Sequence, residues 1–570
     1  MDVARRRPGR PRCYDRAAMP DDRRRFYITT AIAYANSQPG LHTLYEVIGA
    51  DAIARWHRML GDDTLFLTGT DEYSVNIAQT AEQKGMTPKA FVDEMVALFQ
   101  AAEDALLIRP DRFIRTTDPD HQEAVHELLR RAYANGDLYQ GTYEGWYCPN
   151  EGFKAPSDLH ETAQGMRCPN HPGIDLQWLT ERNWFFRLSK YQEPLERWYA
   201  EHPQFVQPDY RRNEMLGFIR GGLEDFSVSR EKARWGIPFP VRADGSSTQL
   251  PDGTWDPEAG TVYVWYDALT NYITGAGFQG DPERFAQWWP VDAHVIGKDI
   301  NRLHSIMWPA MLMSAGLPLP RMVWVHGWLL VQGERMSKSR GNFLDPNAAV
   351  TAFGPDGARF VTLREVAFDR DSDVSWDTFV RRYNADLANN FGNLVNRTVS
   401  MINRYLEGER PAPRDAAASG LAAGWSETLR RYGEHIDGFL LHDALATLWE
   451  FVGTANKEID TEQPWTLAKA AKAGDEAAME RLRLVLGDVL EACRVVGLAV
   501  APFMPSAAPR ILEQLGYPFP YAEDGNGGPA LLDELAWAAR AGDPGRVIEV
   551  PAPIFPRLDS EAAEVSTPGS

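Results

Sequence analysis

The stretch from Phe26 to Asp71 constrains the fold more than any other part of the chain. Phe26-Tyr27-Ile28-Thr29-Thr30-Ala31-Ile32 is a β-branched and aromatic run of strand length. Pro39-Gly40 breaks it. Leu41, Leu44, Tyr45, Ile48, Ala52, Trp56 and Met59 then recur at steps of three or four, one face of a helix. Gly61 supplies a stop, and Thr64-Leu65-Phe66-Leu67 reads as the next strand. A strand, a helix of about five turns and a second strand with no hairpin signal imply a parallel pair joined by a right-handed crossover. Ligands of such sheets bind at the carboxyl ends of the strands, so residues 31–36 and 68–72 are expected to face a site.

Further along, Thr87-Pro88 opens a helix with Phe91, Met95, Leu98, Phe99 and Leu106 on one face. Residues 137–180 are rich in Gly, Pro and Asn, carry Cys148 and Cys168, and read as a loop-rich insertion. Strand patterns resume at Val262–Tyr266, His294–Lys298 and Met322–Val325. Beyond about residue 380 they stop; 384–405, 441–458 and 477–504 are long helical patterns, an all-α region. The last twenty or so residues are polar and small, and a frayed tail is expected.

At 570 residues the chain has room for about three to five domains. Its 59 basic and 79 acidic residues give a net charge of −20, which argues against indiscriminate nucleic-acid binding but allows a local basic stripe. No run reaches the roughly 18 apolar residues of a membrane-spanning helix. Four cysteines in a chain of this size do not make a disulfide framework and suit a reducing compartment. The first 25 residues hold nine arginines and four aspartates but no apolar core, so they are not a secretory signal. They read as a flexible extension, with Met19 as an alternative start.

The sharpest local signal is Arg335-Met336-Ser337-Lys338-Ser339, followed by Arg340-Gly341-Asn342. Two basic side chains among small residues, in a loop bounded by Gly333 and Gly341, can swing onto a triphosphate. The run resembles the KMSKS loop of class I aminoacyl-tRNA synthetases, with Arg in place of the first Lys. The resemblance extends from Phe26 to about Met504 and is to the methionyl branch of that family. It is carried by residues 30–36 (TAIAYAN), 66–72 (FLTGTDE), 235–238 (WGIP), 264–268 (VWYDA), 294–300 (HVIGKDI), 384–387 (NADL) and 463–465 (QPW).

The resemblance implies an α/β fold: a doubly wound, Rossmann-like parallel-sheet catalytic domain with an inserted connective subdomain, then an α-helical anticodon-binding domain. The expected boundaries are 1–25 for the extension, 26–136 and 256–380 for the catalytic halves, 137–255 for the insertion, 381–545 for the helical domain and 546–570 for the tail. It implies ATP-dependent attachment of methionine to its tRNA through methionyl-adenylate. Such catalysis is mostly positioning and neutralisation of phosphate charge. Lys338 and Arg335 are the expected neutralising groups, with His42 and Thr43 as donors at the opening of the first helix. Gly40, His42, Gly297, Asp299 and Lys338 are expected at ATP, and Mg²⁺ is expected on the phosphates. A methionine slot of Ile32, Tyr34, Trp265, Leu269, Tyr272, Ile300 and His304 is implied, where rings suit a thioether sulfur. Taken singly, Ile300 and Leu269 read as core residues, and His304 fits a core histidine as well as a ligand. Asp71, at a strand end, can pair with the substrate ammonium.

For tRNA, Asn393 and Arg397 lie four apart on one helix face, and Trp465 offers a stacking plane for an unpaired base. Arg381, Arg382, Arg404 and Lys469 are candidate backbone contacts. Three departures from the family stand out. The four positions of its HIGH signature read Gly40-Leu41-His42-Thr43, with neither histidine in its usual place. Tyr73-Ser74 replaces the usual His-Gly. In the insertion, where many members hold zinc, Cys148-x-x-Glu151 and Cys168-x-x-His171 leave three good ligands, short of the usual tetrahedral four, so no tight zinc is expected. A non-catalytic tRNA-binding paralogue is the alternative reading. A cytoplasmic monomer is expected, with tRNA, methionine and ATP as partners and no membrane.

Overall fold

The computed structural model describes residues 24–148, 152–154, 159–162, 165–169, 171–336 and 342–559. The Arg-rich start with Met19, and residues 337–341 with Lys338, lie outside the described residues. The opening crossover is formed as the periodicity demands. Strand β1 (Arg25–Thr30) leads through a two-residue strand β2 (Ala33–Tyr34) into helix α1 (Leu41–Met59) and back into β3 (Asp63–Asp71). β1 and β3 pair in parallel, Ile28 opposite Phe66. Gly61 takes φ +85°, the left-handed turn that ends α1.

Helix α2 (Pro88–Ala105) is capped by the Thr87 hydroxyl, which accepts the Ala90 N–H at 3.2 Å. Strand β4 (Arg112–Arg115) and helix α3 (Pro119–Ala134) follow. The insertion opens with β5 (Leu138–Cys148) and β6 (Gln177–Phe186), and β7 (Val206–Gln207) adds an edge to the main sheet. Helix α4 (Val264–Gly275) precedes β8 (Ala293–Gly297) and β9 (Val323–His326). These build one sheet in the order β7-β9-β8-β1-β3, with β2 and β4 both against β3, all parallel. The order reverses between β8 and β1, and their diverging carboxyl ends leave a crevice there. β1 is buried on both faces. Phe26 and Ile28 join the core shared with α1, and Tyr27 joins the core under α3 and α4.

The C-terminal half is helical: α5 (Pro346–Glu365), α6 (Gly392–Leu406), α7 (Leu441–Glu462), α8 (Pro464–Lys472) and α9 (Glu476–Ala499). Its apolar faces share a single core with α1, so the two halves are packed together rather than tethered. Among the described residues two segments are π-helical, Leu303–Met307 and Tyr383–Phe391; such bulges often mark functional positions.

The structure corrects five expectations. The strand expected over Val262–Tyr266 ends at Val262, and Trp265 and Tyr266 lie on α4. That helix is buried almost all round, so it carries no polar face to betray its period. The insertion is not loop-rich, since β5 and β6 form a long antiparallel ribbon from Leu138↔Phe186 to Tyr147↔Gln177. Its aromatic residues supply the strand preference that the Gly and Asn content obscured. Leu98 stands 43% exposed, off the α2 stripe, where Phe91, Val92, Met95, Val96, Phe99 and Ala102 are buried. The helix expected over residues 384–405 begins as the π-helical turn. The tail is not wholly frayed: Ile554 and Phe555 are buried, and Asn384 holds both backbone groups of Leu558 at 2.9 Å.

Candidate active site

The crevice opens into a cavity of about 780 Å³. It is walled by the residues after β1, the first turn of α1, the end of β3, the inner face of α4 and the turns after β8 and β9. All eight residues expected at methionine line it: Ile32, Tyr34, Asp71, Trp265, Leu269, Tyr272, Ile300 and His304. So do His42, Thr43, Gly297, Asp299 and Arg335. Gly40 sits just behind the wall, at the cap of α1. Asp71 and Arg335 thus face one cleft.

At one end the chemistry is that of a receptor for a cation with an apolar tail. Asp71 is 2% exposed, and its Oδ1 is buried without a hydrogen-bond partner. Burial, reinforced by the nearby Asp267 charge, pushes its carboxyl well above the usual range. An ammonium arriving there relieves both penalties at once. Asp267 is itself held by His121, Nε2 to Oδ1 at 2.7 Å.

Beside it, Tyr34 and Trp265 meet edge to face at 5.8 Å. His304 is buried, and burial lowers its pKa to about 4, so the ring is neutral near pH 7. Its Nδ1 lies 3.0 Å from the Ile300 carbonyl, which can only accept, so Nδ1 carries the proton. Nε2 therefore accepts the Tyr272 hydroxyl at 2.6 Å. The two polar groups satisfy each other and leave an aromatic, uncharged wall. His294 supports it from behind, in contact with Thr29 Oγ1 at 2.7 Å and receiving the Trp308 N–H at 3.2 Å.

The other end is polar. Asp299 folds back over Gly297, where an added Cβ would lie 2.7 Å from its Oδ1. Trp328 carries two cations against its ring, Lys298 Nζ at 3.8 Å and the Arg335 guanidinium at 3.1 Å from the centroid. Lys298 also pairs with Asp371 at 2.5 Å. His42 lines this end with Nδ1 buried and unpartnered.

Between the two ends lies a cluster that sequence reasoning missed. Glu46 on α1 accepts the Ala31 N–H through Oε1 at 2.8 Å and meets His326 Nε2 through Oε2 at 2.5 Å. The Tyr45 hydroxyl reaches His326 Nδ1 and the Gly327 carbonyl. Burial raises the Glu46 pKa while His326 opposes the shift. The cluster locks the first turns of α1 to the ends of β1 and β9. A lone Glu on an otherwise apolar helix face was the one available signal.

The residues expected at tRNA lie elsewhere, on the helical half. Asn393 is exposed, and Arg397 is part-buried with Nη2 3.3 Å from Asp460 Oδ1. Trp465 is 45% exposed in the first turn of α8, which rules out an anchoring core role. In the insertion, Cys148 and Cys168 are buried, while Glu151 and the His171 side chain lie outside what is described. Among the described residues no group of three or more His, Cys, Asp or Glu is arranged to hold a metal ion.

A parallel sheet with its ligand cleft at the order reversal, Arg335 on that cleft and a helical C-terminal region are the arrangement of a class I synthetase. Residues 26–399 match the tRNA synthetases class I (M) family, and the chain belongs to it. The methionine–tRNA ligase of Thermotoga maritima is 43% identical over 86% of this chain and 75% of its own length. That of Thermosynechococcus vestitus is 42% identical over 95% and 99%. Among solved structures, Mycobacterium tuberculosis methionyl-tRNA synthetase bound by methionyl-adenylate aligns with TM-score 0.84 at 40% identity, covering 94% of this chain and all of that one. The free-state structure of that enzyme aligns at 0.77.

Proposed function

We propose that this chain activates L-methionine with ATP and transfers it to tRNA: ATP, methionine and tRNA give methionyl-tRNA, AMP and diphosphate. The observation that carries this reading is the buried Asp71 carboxylate, its Oδ1 without a partner, facing an aromatic slot within one cavity with Arg335. The methionine carboxylate attacks the α-phosphate, diphosphate leaves, and the tRNA 3′-terminal hydroxyl then displaces AMP from the adenylate. Asp71 holds the ammonium, and the Tyr34–Trp265 and Tyr272–His304 walls hold the thioether. Asp299 takes the ribose, while Gly40, Gly297, His42 and Thr43 meet the phosphates. Arg335 and Lys338 neutralise charge as diphosphate departs. Mg²⁺ enters with ATP rather than in a protein cage.

The reading divides the chain into catalytic halves at 26–136 and 256–380, an insertion at 137–255 and an anticodon domain at 381–545. The exposed Asn393 and Trp465 and the part-buried Arg397 read the anticodon. The enzyme acts as a cytoplasmic monomer without tightly bound zinc; no helix among the described residues is long and apolar enough to cross a membrane. The relatives named above are methionine–tRNA ligases, which does not support a non-catalytic tRNA-binding paralogue.

Pyrophosphate exchange with a panel of amino acids tests the reading. Exchange that depends on methionine and not on leucine, valine or cysteine supports it. Binding of tRNA with no exchange for any amino acid contradicts it.

A further inference from the structure

The first turn of α1 departs from the family signature, and the packing around it makes the departure self-consistent. Gly40 caps α1 at φ −107°, ψ 170°, an extended conformation open to any residue, so the backbone does not demand glycine. Space does. A Cβ at residue 40 would lie 2.5 Å from Cε2 of Phe343 and 2.6 Å from both Cε1 and Nδ1 of His42. The imidazole of residue 42 therefore occupies the room that a side chain on residue 40 would need.

Phe343 stands edge-on to that imidazole, centroids 6.1 Å apart and planes at 78°. The next residue is tied down as well, because the Leu41 N–H donates to the Leu344 carbonyl at 3.0 Å. The helix end has no acidic residue in its first turn and no side-chain cap. The one ring nitrogen turned into the gap, His42 Nδ1, is buried and has no partner. Burial also lowers the His42 pKa, so the ring is a neutral hydrogen-bonding group rather than a cation.

We propose that Gly40, His42 and Phe343 act as one unit. The imidazole, seated in the gap over the bare Gly40, is the side chain that α1 offers to the nucleotide phosphates, and Phe343 is the wedge that keeps it there. The inference rests on the activation reading above and deepens it. His42 is the contacting side chain; Gly40, beyond the approach of its backbone to the phosphates, and Phe343 position it. A hydrogen bond from the helix end to phosphate then adds to the positive end of the helix dipole.

The unit is tested by methionine-dependent pyrophosphate exchange, with methionine binding followed separately by tryptophan fluorescence and folding by thermal melting. His42→Ala should lower kcat/KM for ATP by roughly 10- to 100-fold, the range for a hydrogen bond to a charged group. His42→Asn, whose amide nitrogen can stand where Nδ1 stands, should recover most of it. Gly40→Ala should fall as far as His42→Ala although it removes no functional group. The Gly40→Ala/His42→Ala double variant should be no worse than either single one. Phe343→Ala should raise KM for ATP while methionine binding and melting stay unchanged.

A Gly40→Ala variant with wild-type kinetics, effects that multiply in the double variant, or a wild-type His42→Ala overturns the unit. Absence of exchange in the wild-type chain overturns the activation reading itself.

Discussion

Arg359 and Asp51 form an ion pair with both side chains fully buried, Nη2 to Oδ2 at 2.7 Å. Asp51 lies midway along α1, whose N-terminal end carries Gly40 and His42; Arg359 belongs to α5. The same guanidinium donates to the carbonyls of Phe503, Pro502 and Leu106 at 2.9, 3.0 and 3.1 Å. Asp51 also holds Arg55 Nε at 2.7 Å and accepts the Arg109 N–H at 2.9 Å. Helix α1 is thereby fastened to the turn that follows α9 in the helical half.

Removing one partner strands a buried charge, so Arg359→Met should cost about 3–5 kcal/mol in urea unfolding. The double change Asp51→Leu/Arg359→Met should cost less than the sum of its parts. A loss under about 1 kcal/mol for the single variant would show that the pair is not the fastening.

The same pair predicts a pH response. Burial alone would raise the Asp51 pKa, but the Arg55 and Arg359 charges outweigh it and hold it at about 2. Because the folded value is depressed, the stabilisation is present above the unfolded pKa of about 4 and is lost as pH falls from there towards 2. Melting profiles of wild type and Asp51→Asn should converge in that window. Parallel profiles across it would contradict the assignment.

Glu103 behaves oppositely. Burial, with the charges of Asp104 and Asp51 adding to it, pushes its carboxyl up to about 8. The unfolded chain ionises it near pH 4.5, so folding loses stability as pH rises from about 4.5 to 8 and is flat beyond. Glu103→Gln should therefore be more stable than wild type at pH 7, on the order of 3 kcal/mol, with the difference vanishing near pH 4.5. A difference that does not vary with pH sinks this account of Glu103.

In the slot, Tyr272→Phe removes the proton that His304 Nε2 accepts and leaves a buried acceptor unpaired. The methionine KM should rise roughly 5- to 20-fold, with KM for ATP unchanged. Exchange kinetics at saturating ATP read this directly, and an unaltered methionine KM would remove the pair from specificity.

Trp328→Leu takes away the ring that Lys298 and Arg335 share. Losing two cation–π contacts should raise KM for ATP by roughly 3- to 30-fold while the methionine KM holds. Equal effects on both substrates would point to general collapse of the cleft instead.

What could be read from the sequence follows the range of the forces involved. The β1-α1-β3 crossover is legible because α1 repeats its apolar residues at the helical period and Gly61 ends it. Helix α4 is not, since burial on all sides erases the period around Trp265. The Glu46–His326 contact joins residues 280 positions apart, and no local pattern reports such a pairing. The slot residues were legible through the resemblance alone. Trp265, Tyr272 and His304 carry no signal that separates them from core packing until the cavity shows what they face. Gly40 is the reverse case: the sequence marks it as anomalous, and the packing of Phe343 and His42 around it explains why it has no side chain.

The most direct test is a crystal structure of the chain with a non-hydrolysable methionyl-adenylate analogue. The account predicts the ammonium within hydrogen-bond distance of Asp71 Oδ1, roughly 2.7–3.1 Å, with the methyl-thioether against Tyr272 and His304. An analogue bound with its ammonium turned away from Asp71, or seated outside the cleft between β1 and β8, would contradict it.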